Sequence, residues 1–413
     1  MDATQTAGIT VDDFPATHRS LRIAFVTETY PPEVNGVAVT IERVVRGLRA
    51  RNHELQLVRP RQDRTDIADT DSRFQEVLMR GLPIPRYPAL KMGLPSKRAL
   101  VELWSLRRPD IVHIATEGPL GWSALQAALR LRLPISSDFR TNFHAYSKHY
   151  GVGWLHKPIM AYLRKFHNQT QCTMVPTEAL RGSLLEFGFR NLKVLARGVD
   201  ADQFNPRHRS ETLRRSWGAG AGTTVVMHVG RLAPEKNLGA LIAAYESMKK
   251  VNSDTKLVLV GDGPARAELQ SSCPDAVCVG MRAGDDLATH YASGDIFLFP
   301  SVTETFGNVT PEAMASGLAV VAYNYAAAAE LIRSGENGVL APFGDAQRFT
   351  QCAADLAAQP HLVRELGAQA RQTACEYGWG RIVEQIESVF VSVMSNGPLS
   401  RRSSLFGVRL QPR

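Results

Sequence analysis

A chain of 413 residues exceeds what one hydrophobic core of ordinary size organises, about 100–200 residues, so two domains are expected. With 44% hydrophobic and 21% charged residues it can bury such cores, which excludes general disorder. The formal charge of +8 admits nucleic acid, an anionic small substrate or an anionic membrane surface, and the scatter of basic residues, with no aromatic-interleaved basic block, argues against nucleic acid.

The opening "MDATQTAGITVDDFPATHRS" is polar and has no positive stretch followed by an apolar one, so residues 1–20 read as a disordered leader rather than a secretory signal. Next, "LRIAFVTETYPPEVNGVAVTIERVVRGLRARNHELQLVRP" moves from a continuous apolar run to a period of 3.6 and back. That is strand, loop, helix, strand. Gly36 stands in the first loop, either as a plain turn or where its missing side chain lets backbone N–H groups approach a phosphate. Strands at "DIVHIAT" and "PISSDF" each lead into helical pattern, giving an N-terminal Rossmann-like domain over 21–197. After the second of them, "FRTNFHAYSKHYG" places Arg140 and His144 on the cleft side, where a histidine is either structural or catalytic. "RGVDADQFNPRHR" has the composition of a linker.

A second alternating series runs from "TVVMHVGRL" through "KLVLVGDG", "AVCVG", "IFLFPS" and "LAVVAY", a C-terminal Rossmann-like domain over 198–378. In "GRLAPEKN", Arg231 and Lys236 follow a strand and precede a helix. They are either surface charges or a pair suited to neutralising a diphosphate. Gly261, in the tight strand-end turn "VGDGP", is a further candidate for the donor-binding site, though such a turn is weak evidence by itself. "FPSVTETFGNVTPEAMASG" sets Glu304 in a loop and Glu312 about a turn inside the next helix, with Phe306, Gly307, Asn308 and Val309 at the helix start, where free N–H groups suit an anion. The two carboxylates would address different parts of one extended ligand, unless Glu312 only favours the helix end and Glu304 is solvated. The apolar stretch that follows is broken by Ser316, Gly317, Asn324 and Glu330, which excludes a membrane span there. The last helix, in 379–396, could pack on either domain, and residues 397–413 read as a flexible basic tail. Five cysteines without a CxxC pair or zinc spacing indicate a reducing compartment, the cytoplasm, and no metal site.

Taken in order, "VGRLAPEKN", "RGVDADQFNP" and "ETFGNVTPEAMASG" resemble retaining GT-B glycosyltransferases of family 4, the last matching that family's E-x7-E motif. The resemblance spans roughly residues 21 to 395. Through "FVTETYPPEVNGVAVT" it looks most like the branch with GDP-mannose-dependent α-mannosyltransferases and diacylglycerol or sulfolipid glycosyltransferases. It implies two Rossmann-like domains facing a central cleft. It also implies metal-independent, retaining transfer of a hexose from a nucleoside-diphosphate sugar, which is a co-substrate rather than a cofactor, to a lipid-linked or glycan acceptor.

By the same resemblance Glu304 would lie by the donor sugar, Glu312 on the ribose and Arg231 with Lys236 on the diphosphate. Main chain around Phe306 to Val309 would lie near sugar and phosphate, and Gly36 near the diphosphate. Many members carry a histidine at the position aligned with Arg140, whereas here His144 stands four residues on. Pro311 replaces the usual aliphatic residue before the second glutamate. The basic segments "KMGLPSKRAL" and "YLRKFHNQ" are either solvated helix faces or contacts to the inner face of a membrane. A soluble sugar or sugar-phosphate transferase and a non-catalytic nucleotide-sugar-binding protein are the alternatives. A Rossmann dehydrogenase or epimerase is disfavoured, because no GxGxxG follows the first strand.

Overall fold

The computed structural model describes residues 20–33, 35–84, 87–140 and 156–395. His144, all but one residue of the leader expected over 1–20, and the tail at 397–413 lie outside the described residues.

The first unit is a seven-stranded sheet. Its members are β1 (Arg22–Val26), β2 (Glu54–Pro60), β3 (Phe74–Met79), β6 (Ile111–Ile114), β7 (Ile135–Asp138), β8 (Cys172–Val175) and β9 (Leu192–Val194); a two-stranded antiparallel ribbon, β4 (Gly81–Ile84) and β5 (Tyr87–Gly93), stands apart. The order β3-β2-β1-β6-β7-β8-β9 is parallel throughout. The second unit contains β10 (Thr224–Val229), β11 (Thr255–Val260), β12 (Val277–Gly280), β13 (Ile296–Phe299), β14 (Ala319–Tyr323) and β15 (Val339–Ala341), in the parallel order β12-β11-β10-β13-β14-β15. In each sheet the order reverses beside its first strand, between β1 and β6 and between β10 and β13. Loops leaving the carboxyl ends on either side of such a reversal diverge and open a crevice, where sheets of this kind bind ligands.

The helices follow from spacing and caps. In Gly36–Ala50 the buried residues Ala38, Ile41, Val44, Val45 and Leu48 recur every three or four positions. Asn35 caps that helix, its side-chain oxygen accepting from the N–H of Val37 and Ala38. The last described helix, Trp379–Ser395, packs on the first unit, adding Ile382, Val383, Ile386, Val389, Phe390 and Val393 to the core that holds Ile41 and Leu48. Each such buried side chain is worth roughly 1.5–3 kcal/mol, so this attachment outweighs any single surface contact. At Gly47 the two helices leave no room for a side chain, since a Cβ would stand 2.5 Å from a Val383 methyl.

The crossing from first unit to second and the return lie side by side. Val199 donates to the Tyr377 carbonyl at 3.0 Å and forms an isolated parallel bridge with Gly378. Gly198 leaves room for the Trp379 ring, which a Cβ would meet at 2.7 Å.

Candidate active site

The loops at the carboxyl ends of both sheets face one another across a cleft of about 600 Å³. From the first unit come Asn35 and Gly36 after β1, Arg140 after β7 and Arg197 after β9; from the second come Arg231 and Lys236 after β10 and the run from Thr303 to Val309 after β13. The walls approach at Gly36, where an added Cβ would stand 4.0 Å from the Asn308 side-chain nitrogen. Asn308 also keeps a buried side-chain oxygen with no hydrogen-bond partner among the described residues.

Glu304 is fixed from three sides. Its Oε1 accepts from the Lys236 ammonium and, at 2.7 Å, from the Ser301 hydroxyl. Its main chain is gripped by Tyr325, whose hydroxyl donates to the Glu304 carbonyl at 2.8 Å. Gly307, at φ +90, takes a backbone conformation that side-chain-bearing residues rarely adopt, and this turns the loop back over the Glu304 carboxylate. Lys236 also lies 5.6 Å from the centre of the Phe299 ring. Arg231 is 58% exposed and holds Glu235 only at 3.7 Å, so its fork is available to a ligand.

Two residues expected at the site stand off this cleft. Gly261, at φ +136, faces the Gly230 carbonyl, which a Cβ would approach to 1.9 Å; β10 and β11 therefore require glycine there for their own packing. Glu312 sits on the helix Val309–Ala315 one turn below the lining residues, its Oε2 accepting from the Tyr291 hydroxyl at 3.0 Å. Burial pushes the Glu312 carboxyl up to about 7, against the opposing hydrogen bond from Tyr291. A carboxyl raised above its ordinary 4.5 in the folded state favours folding below that pH and loses the contribution as pH rises through about 7. Wild-type Tm should therefore fall relative to Glu312→Gln between pH 5 and 8. Parallel Tm curves for the two proteins would show that burial does not govern this carboxyl.

Residues 223–359 match the family model described as glycosyl transferases group 1, and residues 34–203 match that of glycosyltransferase family 4. A GDP-mannose-dependent alpha-mannosyltransferase from Mycobacterium tuberculosis is 35% identical over 373 residues, covering 89% of this chain and 95% of its own. The chain belongs to glycosyltransferase family 4. An alpha-monoglucosyldiacylglycerol synthase from Streptococcus pneumoniae is a further relative of this glycosyltransferase, 27% identical over 320 residues, covering 73% of this chain and 71% of its own. Among solved structures, a sucrose-phosphate synthase from Thermosynechococcus elongatus superposes with a TM-score of 0.71 over 90% of this chain and 99% of its own, at 18% identity, a likeness of fold. The GT-B architecture of paired parallel-sheet units expected from the sequence is thus the one found.

Within this glycosyltransferase, several residues at the cleft or behind it escape a reading of the sequence. Tyr325 and Tyr291 meet Glu304 and Glu312 from 21 positions away, through returning chain rather than local spacing. Asn35 had a signal, an Asn immediately before a helix that opens on Gly36. Arg197 had none beyond its place at the start of a segment with linker composition.

Proposed function

We propose that this glycosyltransferase moves a hexose from a nucleoside-diphosphate sugar to a lipid-linked or glycan acceptor, with retention at the anomeric carbon and without a divalent metal. The observation carrying this reading is the Lys236–Glu304 pair, at the reversal point of the second sheet and on a wall of the cleft between the units. As the bond from the anomeric carbon to the diphosphate breaks, negative charge grows on the leaving oxygen. Lys236 and Arg231 supply opposite charge there before the reaction begins, so little reorganisation is required. The acceptor hydroxyl attacks from the face the diphosphate vacates, and its proton passes to the departing phosphate oxygen. Glu304, released by Lys236 when the diphosphate arrives, stands beside the positively charged sugar. Closure of the two units on the ligand would exclude water and strengthen each contact.

We favour mannose carried by GDP, in line with the mycobacterial relative. A lipid-linked acceptor accords with the diacylglycerol synthase relative, and the basic segments at 91–100 and 162–169 would meet an anionic inner leaflet. Among the described residues no helix is long and apolar enough to cross a membrane, so such contact would be peripheral.

A melting screen of the purified chain against GDP, UDP, ADP and their sugar conjugates tests the donor. A ligand at a hundred times its Kd stabilises the folded state by about 2.7 kcal/mol, so one base should raise Tm above the others. Identical melts with every nucleotide would remove the donor assignment. Transfer should continue in EDTA, and strict dependence on added Mn²⁺ would refute the metal-free scheme.

A further inference from the structure

The cleft contains a guanidinium that its surroundings do not satisfy. Arg197 follows β9 by three residues and, among the described residues, has no carboxylate within 4.0 Å. Its charge instead feels Arg140 beside it, and Asp138 and Glu304 more remotely. Burial first, then the Arg140 charge, pulls it down from the ordinary arginine value to about 9, so it stays charged at neutral pH. Its guanidinium carbon lies 5.9 Å from the centre of the Phe306 ring, on the wall of the second unit.

Arg140 is equally incomplete. Its side chain is 9% exposed; one nitrogen, Nη2, donates to Asp138, while Nε and Nη1 are buried with no hydrogen-bond partner among the described residues. Asp138 is itself braced by His113 Nε2 at 3.5 Å, and His113 Nδ1 meets the Ser136 hydroxyl at 3.0 Å. Burial alone would raise the Asp138 carboxyl; the Arg140 charge, followed by His113, reverses this and holds it below the usual carboxylate range. A chain of polar groups running into the sheet thus holds Arg140 at the cleft wall with two buried nitrogens unmet. Arg140 gives one nitrogen to Asp138 and leaves two buried ones unmet, and Arg197 stands half-buried beside it with no carboxylate in reach, an arrangement that costs free energy unless a ligand supplies the missing acceptor. Planar guanidinium forks fit the oxygens of a phosphate or carboxylate.

We propose that Arg197 and Arg140 form an oxyanion seat on the first unit's side of the cleft, opposite Lys236, and that Arg197 binds a phosphate or carboxylate oxygen of a substrate. This rests on the cleft being the transfer site. The oxyanion belongs either to the donor diphosphate or to an acidic acceptor, and the two sources separate experimentally.

The test titrates the full chain, as wild type, Arg197→Gln and Arg197→Lys, with GDP, with UDP, and with inorganic phosphate before and after saturation by whichever nucleotide binds. If the seat holds the donor, Arg197→Gln weakens the nucleotide at least tenfold, Arg197→Lys less, and the nucleotide excludes phosphate. If it holds the acceptor, nucleotide affinity is unchanged, and phosphate binds the nucleotide-saturated wild type but not Arg197→Gln. Nucleotide and phosphate affinities equal to wild type in folded Arg197→Gln overturn the proposal. Should Arg197→Gln fail to melt cooperatively, Arg197→Lys decides the same comparisons, a three- to tenfold loss being expected and none overturning the seat. A wild type that binds phosphate in an Arg197-dependent way but no nucleotide would instead leave the seat standing and defeat the donor reading.

Discussion

Glu304→Gln should lower the rate of hexose transfer by about 10²–10³-fold while leaving Tm within a few degrees of wild type. The amide keeps the volume of the carboxylate and an oxygen for the Ser301 hydroxyl, so the loop after β13 retains its shape. On the proposed reading, what would disappear is the negative charge beside a sugar that becomes cationic in the transition state. The same substitution frees Lys236, whose ammonium is tied to Glu304. Affinity for the nucleoside diphosphate should consequently hold steady or increase as turnover collapses. A variant that turns over like wild type would remove Glu304 from the chemistry; one that loses affinity and rate together would show that it serves binding instead.

Lys236→Ala should act in the opposite sense, weakening nucleoside diphosphate binding by about 1.5–3 kcal/mol, roughly ten- to a hundredfold. Two effects add here. On the proposed reading a charge-assisted contact to phosphate would be lost, and Glu304 would be left without its ammonium partner, facing an anionic ligand from a side chain only 14% exposed. Double substitution of Lys236 and Glu304 separates them, since removing the carboxylate as well should recover part of the affinity. Calorimetric titration with GDP and UDP measures both variants. Affinity unchanged in Lys236→Ala would place the diphosphate elsewhere in the cleft.

How much of this was legible beforehand depended on chain distance. The unit β1, helix Gly36–Ala50, β2 was readable because a run buried on both faces is continuously apolar and the helix between repeats every three or four residues. β3, reading FQEVLM, is half-exposed at the sheet edge and carries a mixed pattern, while β9 and β15 have three residues each, too short to show a period. On the second wall, Glu304 and the residues up to Val309 were found together because one loop after one strand carries them. Lys236 was found from its place after a strand, but its pairing with Glu304, 68 positions on, comes from the adjacency of β10 and β13 in the sheet. Arg197 carries no such signal, because glycine, aspartate and proline in the segment it opens indicate loop, and composition says nothing about which way a loop side chain turns. Gly261 is ambiguous for a related reason: a glycine at a strand end looks the same in sequence whether backbone or ligand approaches it, and here the Gly230 carbonyl does.

The paired crossings at Val199 and Gly378 make the six-stranded unit an insertion into the seven-stranded one. A protease cutting the crossing near residue 199 alone would not release either half, because the second strand still joins them. Residues 198–378 could be excised as one continuous piece, whereas the remaining unit is built from two separated stretches, 21–197 and 379–395, that share one core. Truncation before Trp379 would therefore leave the second unit's strands complete and strip Ile382, Ile386 and Phe390 from a core built of residues more than 200 positions earlier. Adding the peptide 379–395 back in trans would be expected to restore that core.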